Sequence, residues 1–170
     1  MEGMCVPILR PGQPLRIARL PATFLWHGDV EAFLDDLPEQ PIFDLAFTSP
    51  PYNIGKGYEQ KQDLADYLSW QGRVIRKIVN RLRPSGSICW QVGNFLEKRS
   101  SAQETTILPL DIVFHDLFRK SGVKLRNRIV WYFGHGYHCK YRFSGRHEVV
   151  MWYTKTDKYV FNLDAVRVPQ

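Results

Sequence analysis

Cysteine is scarce in this chain. Cys5, Cys89 and Cys139 are odd in number and widely spaced over 170 residues, which suits a reducing cytoplasm better than a disulfide framework. No apolar run approaches the roughly 20 residues needed to cross a bilayer. The start, Met1-Glu2-Gly3-Met4-Cys5, lacks the charged-then-apolar pattern of a secretory signal. There is no internal repeat and no low-complexity tract. An apolar content of 44% with 14% aromatics excludes disorder, and the length suits one domain with its own core.

Acidic residues are absent between Asp116 and Glu148, where Arg119, Lys120, Lys124, Arg126, Arg128, Lys140, Arg142 and Arg146 all fall. The net charge of +6 is therefore unevenly spread, and Trp131, Tyr132, Phe133, Tyr137, Tyr141 and Phe143 interleave with the basic residues. Such a mixture suits phosphate contact and base stacking. The plainer reading is a solvated basic face around a hairpin.

Residues 1–22, rich in Pro and Arg, read as an irregular arm, and residues 23–170 as the domain proper. Thr23–Trp26 is a short strand ending at Gly28-Asp29, and residues 42–48 form a second, largely apolar one. Leu64, Tyr67, Leu68, Gln71, Ile75, Ile78, Val79 and Leu82 mark one face of a helix capped by Asp63 and stopped by Pro84-Ser85-Gly86. Ser87–Val92 is the next strand, and a second helix runs from about Leu108 to Lys120. Leu125–Trp131 and Glu148–Thr154 pair as strands. Strands alternating with helices predict an α/β fold with a parallel sheet, finished by an antiparallel hairpin.

The most informative junction is Ile42-Phe43-Asp44-Leu45-Ala46-Phe47 running into Thr48-Ser49-Pro50-Pro51-Tyr52. A buried strand closed by two prolines ends in a stiffened loop, because proline fixes φ and cannot continue a ladder. Ligand chemistry in open α/β sheets gathers at the carboxyl ends of strands. The loop offers a hydroxyl, fixed carbonyls and an aromatic face. Taken alone, it is also a Pro-Pro turn with a Tyr lid.

Ser49-Pro50-Pro51-Tyr52 resembles the catalytic motif of the DNA amino-methyltransferases, which is Asp, Asn or Ser followed by Pro-Pro and an aromatic. Trp26-His27-Gly28-Asp29 upstream is similar to the Gly-Asp turn that precedes this motif in one subgroup. Downstream, Asn53-Ile54-Gly55-Lys56, Arg126–Trp131, Arg142–Glu148 and Phe161-Asn162-Leu163-Asp164 are similar to that subgroup's later blocks. The likeness covers roughly residues 23–170 and implies a Rossmann-like, S-adenosyl-L-methionine-dependent methyltransferase sheet. It implies a bacterial or phage cytoplasmic enzyme of a restriction–modification system, acting on double-stranded DNA. The Ser form is commoner among cytosine-N4 enzymes; adenine-N6 transfer and an inactive DNA-binding module are the alternatives.

An exocyclic base amine is a poor nucleophile, since its lone pair is delocalised into the ring. Acceptors aimed at its hydrogens free that pair, and the resemblance gives this task to Ser49 and Pro50, held by Pro51. Tyr52 would stack on the flipped base. No covalent enzyme intermediate is required, so no cysteine is assigned as nucleophile. The resemblance sets Gly28, Asp29 and Thr48 beside the cofactor, although Asp29 reads equally as a cap for a helix starting at Val30. Lys140, Arg142 and Arg146 are the expected DNA contacts.

Two further patterns are set aside. Tyr132-Phe133-Gly134-His135-Gly136 imitates the aromatic-x-Gly-x-Gly cofactor loop of this family, but that loop needs a helix after it, and Tyr137–Arg142 has no helical period. His135, His138, Cys139 and His147 fit no common zinc spacing, so no metal is expected. The resemblance places the true Gly-rich loop later than Gln170, and the expected source of it is a C-terminal half or a second subunit.

Overall fold

A computed structural model describes residues 8–11, 23–57, 59–97, 106–136 and 139–168. A four-stranded sheet organises the chain in the order β3 (Phe43–Thr48), β4 (Leu82–Val92), β8 (His147–Thr154), β7 (Lys124–Tyr132). β3 lies parallel to β4, with Leu45 beside Ser87 and Thr48 beside Trp90. The other two pairings are antiparallel, with Trp90 opposite Met151 and Ile129 opposite Val150. The expected α/β fold with a terminal antiparallel hairpin is therefore present.

Strict alternation in β4 sets the layers. Ile88, Trp90 and Val92 are buried while Cys89 and Gln91 are only half-buried, so one face of the sheet is covered. Helices α2 (Leu64–Arg81) and α3 (Leu110–Lys120) supply the cover. Tyr67, Gln71, Val74, Ile75, Ile78 and Val79 form the buried stripe of α2 at helical spacing. The Trp90 indole meets the Phe114 and Phe118 rings edge-on at 6.4 and 5.5 Å, and Phe118 stacks on Tyr153 at 4.2 Å. Each such aromatic pair adds about 0.5–1.5 kcal/mol beyond its buried area. The opposite face, including Leu45 and Phe47, has no helix over it among the described residues.

Asp63 caps α2 as expected, accepting the Ala65 amide at 2.9 Å. The helix ends earlier than its pattern predicts, at Arg81, and Leu82 is already extended. Proline at 84 disfavours the helical region for residue 83. Pro84-Ser85-Gly86 thus belongs to β4, where the pairing register to β3 shifts between Phe43 and Leu45. Lys155 Nζ donates to the Val79 and Leu82 carbonyls at 2.9 and 2.8 Å, satisfying two groups at the helix exit.

Three smaller pieces complete the description. In the arm, Ile8–Leu9 form β1, parallel to β2 (Leu25–Trp26), while most of residues 1–22 lie outside the described residues. α1 (Val30–Asp36) follows β2. β5 (Asn94–Glu97) and β6 (Thr106–Pro109) make a short ribbon that the sequence pattern did not predict. Among the described residues no helix is long and apolar enough to cross a membrane.

Candidate active site

The loop after β3 is fixed by side chains rather than by regular backbone pairing. Asn53 is 2% exposed and sits at φ 59°, in the left-handed region that Asn tolerates better than most residues. Its side chain exchanges two hydrogen bonds with the Gln62 backbone, at 2.9 and 2.7 Å. The Glu59 carboxylate accepts the Asn53 and Ile54 amides at 2.9 and 2.8 Å. Tyr67, from the first turn of α2, donates its hydroxyl to the Pro51 carbonyl at 2.6 Å. Burial pushes the Tyr67 phenol far up, with Glu59 and Tyr52 adding to the effect, so it remains a donor.

Ser49 and Tyr52 meet within this frame. The Ser49 hydroxyl lies 2.9 Å from the Tyr52 hydroxyl, which donates to Glu148 Oε2 at 2.9 Å. The same carboxylate oxygen accepts from Gln91 Nε2 at 2.8 Å. Three strand ends therefore converge: β3 brings Ser49, β4 brings Gln91 and β8 brings Glu148. Gly93 follows β4 directly, and a Cβ there would come within 3.2 Å of the Tyr52 ring and 3.4 Å of Glu148. A side chain at this position would crowd both. Among the described residues no donor reaches the Pro50 carbonyl.

Two of the cavities that border the loop bear on its chemistry. One, of about 420 Å³, is apolar and runs along β3 between Phe33, Val74 and Trp90, with Thr48 and Ser49 at its wall. Gln71 and Trp90 line it, while their Nε2 and Nε1 nitrogens are themselves fully buried and without a hydrogen-bond partner among the described residues. The other, of about 690 Å³, opens between Tyr52, Gly93 and Glu148 and the hairpin residues Phe133, His135 and His147.

Other expected residues fall elsewhere. Asp29 caps α1, with one oxygen accepting the Glu31 and Ala32 amides at 2.8 and 3.1 Å. It lines a hollow with Gln62, Ser69 and Arg73. Gly28 is packed so that a Cβ would come within 2.8 Å of the Pro11 ring. The Gly134–Gly136 stretch leads into no helix among the described residues, and Tyr137 and His138 lie outside them. Burial pushes the Cys89 thiol up, away from nucleophilic character.

Ion pairing divides the basic stretch. Arg119 and Lys120 pair with Asp116, and Lys124 and Arg126 pair with Asp157. Arg128 binds Asp111, which is 6% exposed at the start of α3. Lys140, Arg142 and Arg146 are exposed and form no ion pair among the described residues. Sequence reasoning did not single out Glu148, Gln91, Glu59 or Tyr67. Glu148 had a signal, as the last residue of the Arg142–Glu148 block, but no role followed from it.

Residues 43–170 match the N6/N4 DNA methylase family. The Type II methyltransferase M.BglII of Bacillus subtilis is 44% identical over 146 residues, spanning 86% of this chain and 39% of that protein. The DNA adenine methyltransferase YhdJ of Escherichia coli K12 is 30% identical, spanning 92% of this chain and 49% of its own. A candidate DNA modification methylase from Thermus thermophilus, solved with S-adenosyl-L-methionine, superposes at TM-score 0.64 with 20% identity, covering 97% of this chain and 61% of that one. The last likeness shows the fold alone. The chain spans less than half the length of these two curated relatives. It belongs to the N6/N4 family of DNA methylases.

Proposed function

We propose that this chain carries the catalytic part of a site-specific DNA methyltransferase that uses S-adenosyl-L-methionine to methylate cytosine N4 in a flipped base, within a restriction–modification system. The observation that carries this reading is the end of β3. There a hydroxyl (Ser49) and a carbonyl with no donor among the described residues (Pro50) sit on a loop held by Asn53, Glu59 and Tyr67. Two acceptors in fixed positions suit the two hydrogens of an exocyclic amine. Bonding to them localises the nitrogen lone pair, and the pinned loop keeps the positioning entropy out of the barrier.

The Tyr52 ring borders the 690 Å³ cavity, which is open enough to admit a base that has left its stack. The cofactor supplies the methyl group as a sulfonium. Thr48 and the apolar slot along β3 fit an adenosyl group. Gly28 and Asp29 belong to the same proposal only through the oxygen that Asp29 leaves outside its cap. Lys140, Arg142 and Arg146 are the phosphate contacts, because their charges are not neutralised by ion pairs within the described protein.

Adenine N6 is the second reading, favoured by the 30% identity to an adenine-specific enzyme. The protein is incubated with plasmid DNA and S-adenosyl-L-methionine, and the digested nucleosides are weighed by mass spectrometry. N4-methylcytosine supports the proposal and N6-methyladenine the second reading. DNA binding with neither product would make it an inactive binding module.

A further inference from the structure

The structure points to a proton path and a donor-direction lock that run from Ser49 through Tyr52 to Glu148, and we propose Glu148 as a positioning residue for methyl transfer. This rests on the reading above. A hydroxyl can donate or accept, so Ser49 alone does not commit its lone pairs to a substrate. A carboxylate can only accept. Glu148 therefore fixes the direction of the whole chain: it takes the Tyr52 proton at 2.9 Å, which leaves the Tyr52 oxygen to accept from Ser49, also at 2.9 Å. With its own proton committed to Tyr52, the Ser49 oxygen presents only lone pairs to an incoming amine. Gln91 Nε2 donates to the same carboxylate oxygen at 2.8 Å, so Glu148 cannot swing away without losing a second bond.

The same chain removes a proton. Once the amine nitrogen has bonded the methyl carbon and the sulfonium has left as a neutral thioether, the nitrogen carries a positive charge and an excess proton. That proton passes to Ser49 Oγ, the Ser49 proton passes to the Tyr52 oxygen, and the Tyr52 proton passes to Glu148 Oε2. Each hydroxyl ends as it began, the amine is neutral, and the carboxylate holds one proton. Glu148 borders both the cavity shared with the hairpin and the shallow hollow at Ser49–Tyr52, so the proton has an exit to solvent.

Glu148→Gln keeps the shape and removes both the accept-only constraint and the proton acceptor. Two readouts test the idea. Tyrosine-labelled NMR of the chain without DNA or cofactor follows the Tyr52 hydroxyl proton, which should be protected in the wild type and lose that protection in the variant. Steady-state kinetics of a methylating preparation should show kcat lower by roughly 10²-fold with KM for DNA unchanged, the scale of a lost acid–base partner. Tyr52→Phe should lose a similar factor, and adding Glu148→Gln to it should cost little more, because one chain has already been cut. An unchanged Tyr52 hydroxyl signal in Glu148→Gln, or wild-type kcat, would overturn the inference. Failure of the wild type to methylate any DNA would instead count against the proposed function, and the NMR comparison would still judge the lock.

Discussion

Replacing Ser49 by Ala is the sharpest test of the loop, because its structural and catalytic consequences separate. The Ser49 hydroxyl is exposed and its one partner among the described residues is the Tyr52 hydroxyl. Tyr52 keeps its bond to Glu148 when the Ser49 hydroxyl is gone. The stability change should therefore stay within about 1 kcal/mol, the net worth of one exposed hydrogen bond, or about 2–4 °C in Tm for a domain near this size. Catalysis should respond far more. Of the two acceptors proposed for the amine, the Ser49→Ala variant keeps only the Pro50 carbonyl, and losing one preorganised transition-state partner slows reactions by roughly 10²–10³-fold. Single-turnover transfer of labelled methyl to plasmid DNA measures the chemical step without product release. Wild-type single-turnover rates in Ser49→Ala, with the protein folded, would refute the assignment of Ser49 as an acceptor.

Neutralising Lys140, Arg142 or Arg146 singly should weaken binding to every DNA sequence and reduce the slope of log affinity against log salt by about one unit each; three unchanged slopes would return the segment to a solvated surface. Neutralising Lys124 should leave the slope alone, since Asp157 already engages it. Tyr67→Phe strips the Pro51 carbonyl of its donor and should lower stability by about 1–3 kcal/mol in a denaturant titration, and an identical midpoint and slope would show that this bond holds nothing. In a Cys5→Ser/Cys139→Ser background, Cys89 should react slowly with a thiol reagent at mildly alkaline pH until the chain is unfolded, because burial holds its thiol protonated. Fast labelling of the folded protein would contradict that placement.

Much of this architecture was legible because it is local. Asp63 followed by the Leu64–Val79 stripe specifies a capped helix through side-chain chemistry and a 3.6-residue period, and the alternation of Ile88, Trp90 and Val92 specifies a strand with one covered face. The Gly-Asp turn was ambiguous for a physical reason: an Asp before a helix is both a cap and a free carboxylate, and in the structure a single oxygen serves as the cap. The β5–β6 ribbon escaped because its strands are four residues each with Pro109 at the end, too short to show a period. Nor could the sequence say which basic residues remain unpaired, since Asp111, Asp116 and Asp157 all lie outside the stretch they neutralise. Glu148 is the extreme case. It is 96 residues from Tyr52, and only the antiparallel return of β8 beside β4 brings the carboxylate to the loop.

The edge of the sheet carries the last expectation. β3 pairs with β4 on one side and with no strand on the other among the described residues, so it is an edge strand of the described sheet. Natural edges are blunted by charge, proline, bulges or cover. In β3 the exposed apolar side chains are Leu45 at 58% and Phe47 at 61%, two residues apart and hence on one face. At the far edge of the sheet, Ile129 and Trp131 are likewise two residues apart, 49% and 56% exposed. An unpaired edge and exposed apolar side chains together favour pairing with another copy. The 170-residue chain alone should therefore show concentration-dependent self-association by light scattering after size exclusion, and Phe47→Lys should shift it towards monomer by placing a charge where a second strand would pack. If the wild-type chain stays monomeric up to roughly 100 μM, within the range where exposed strand edges ordinarily aggregate, the β3 edge is protected and this account of it fails.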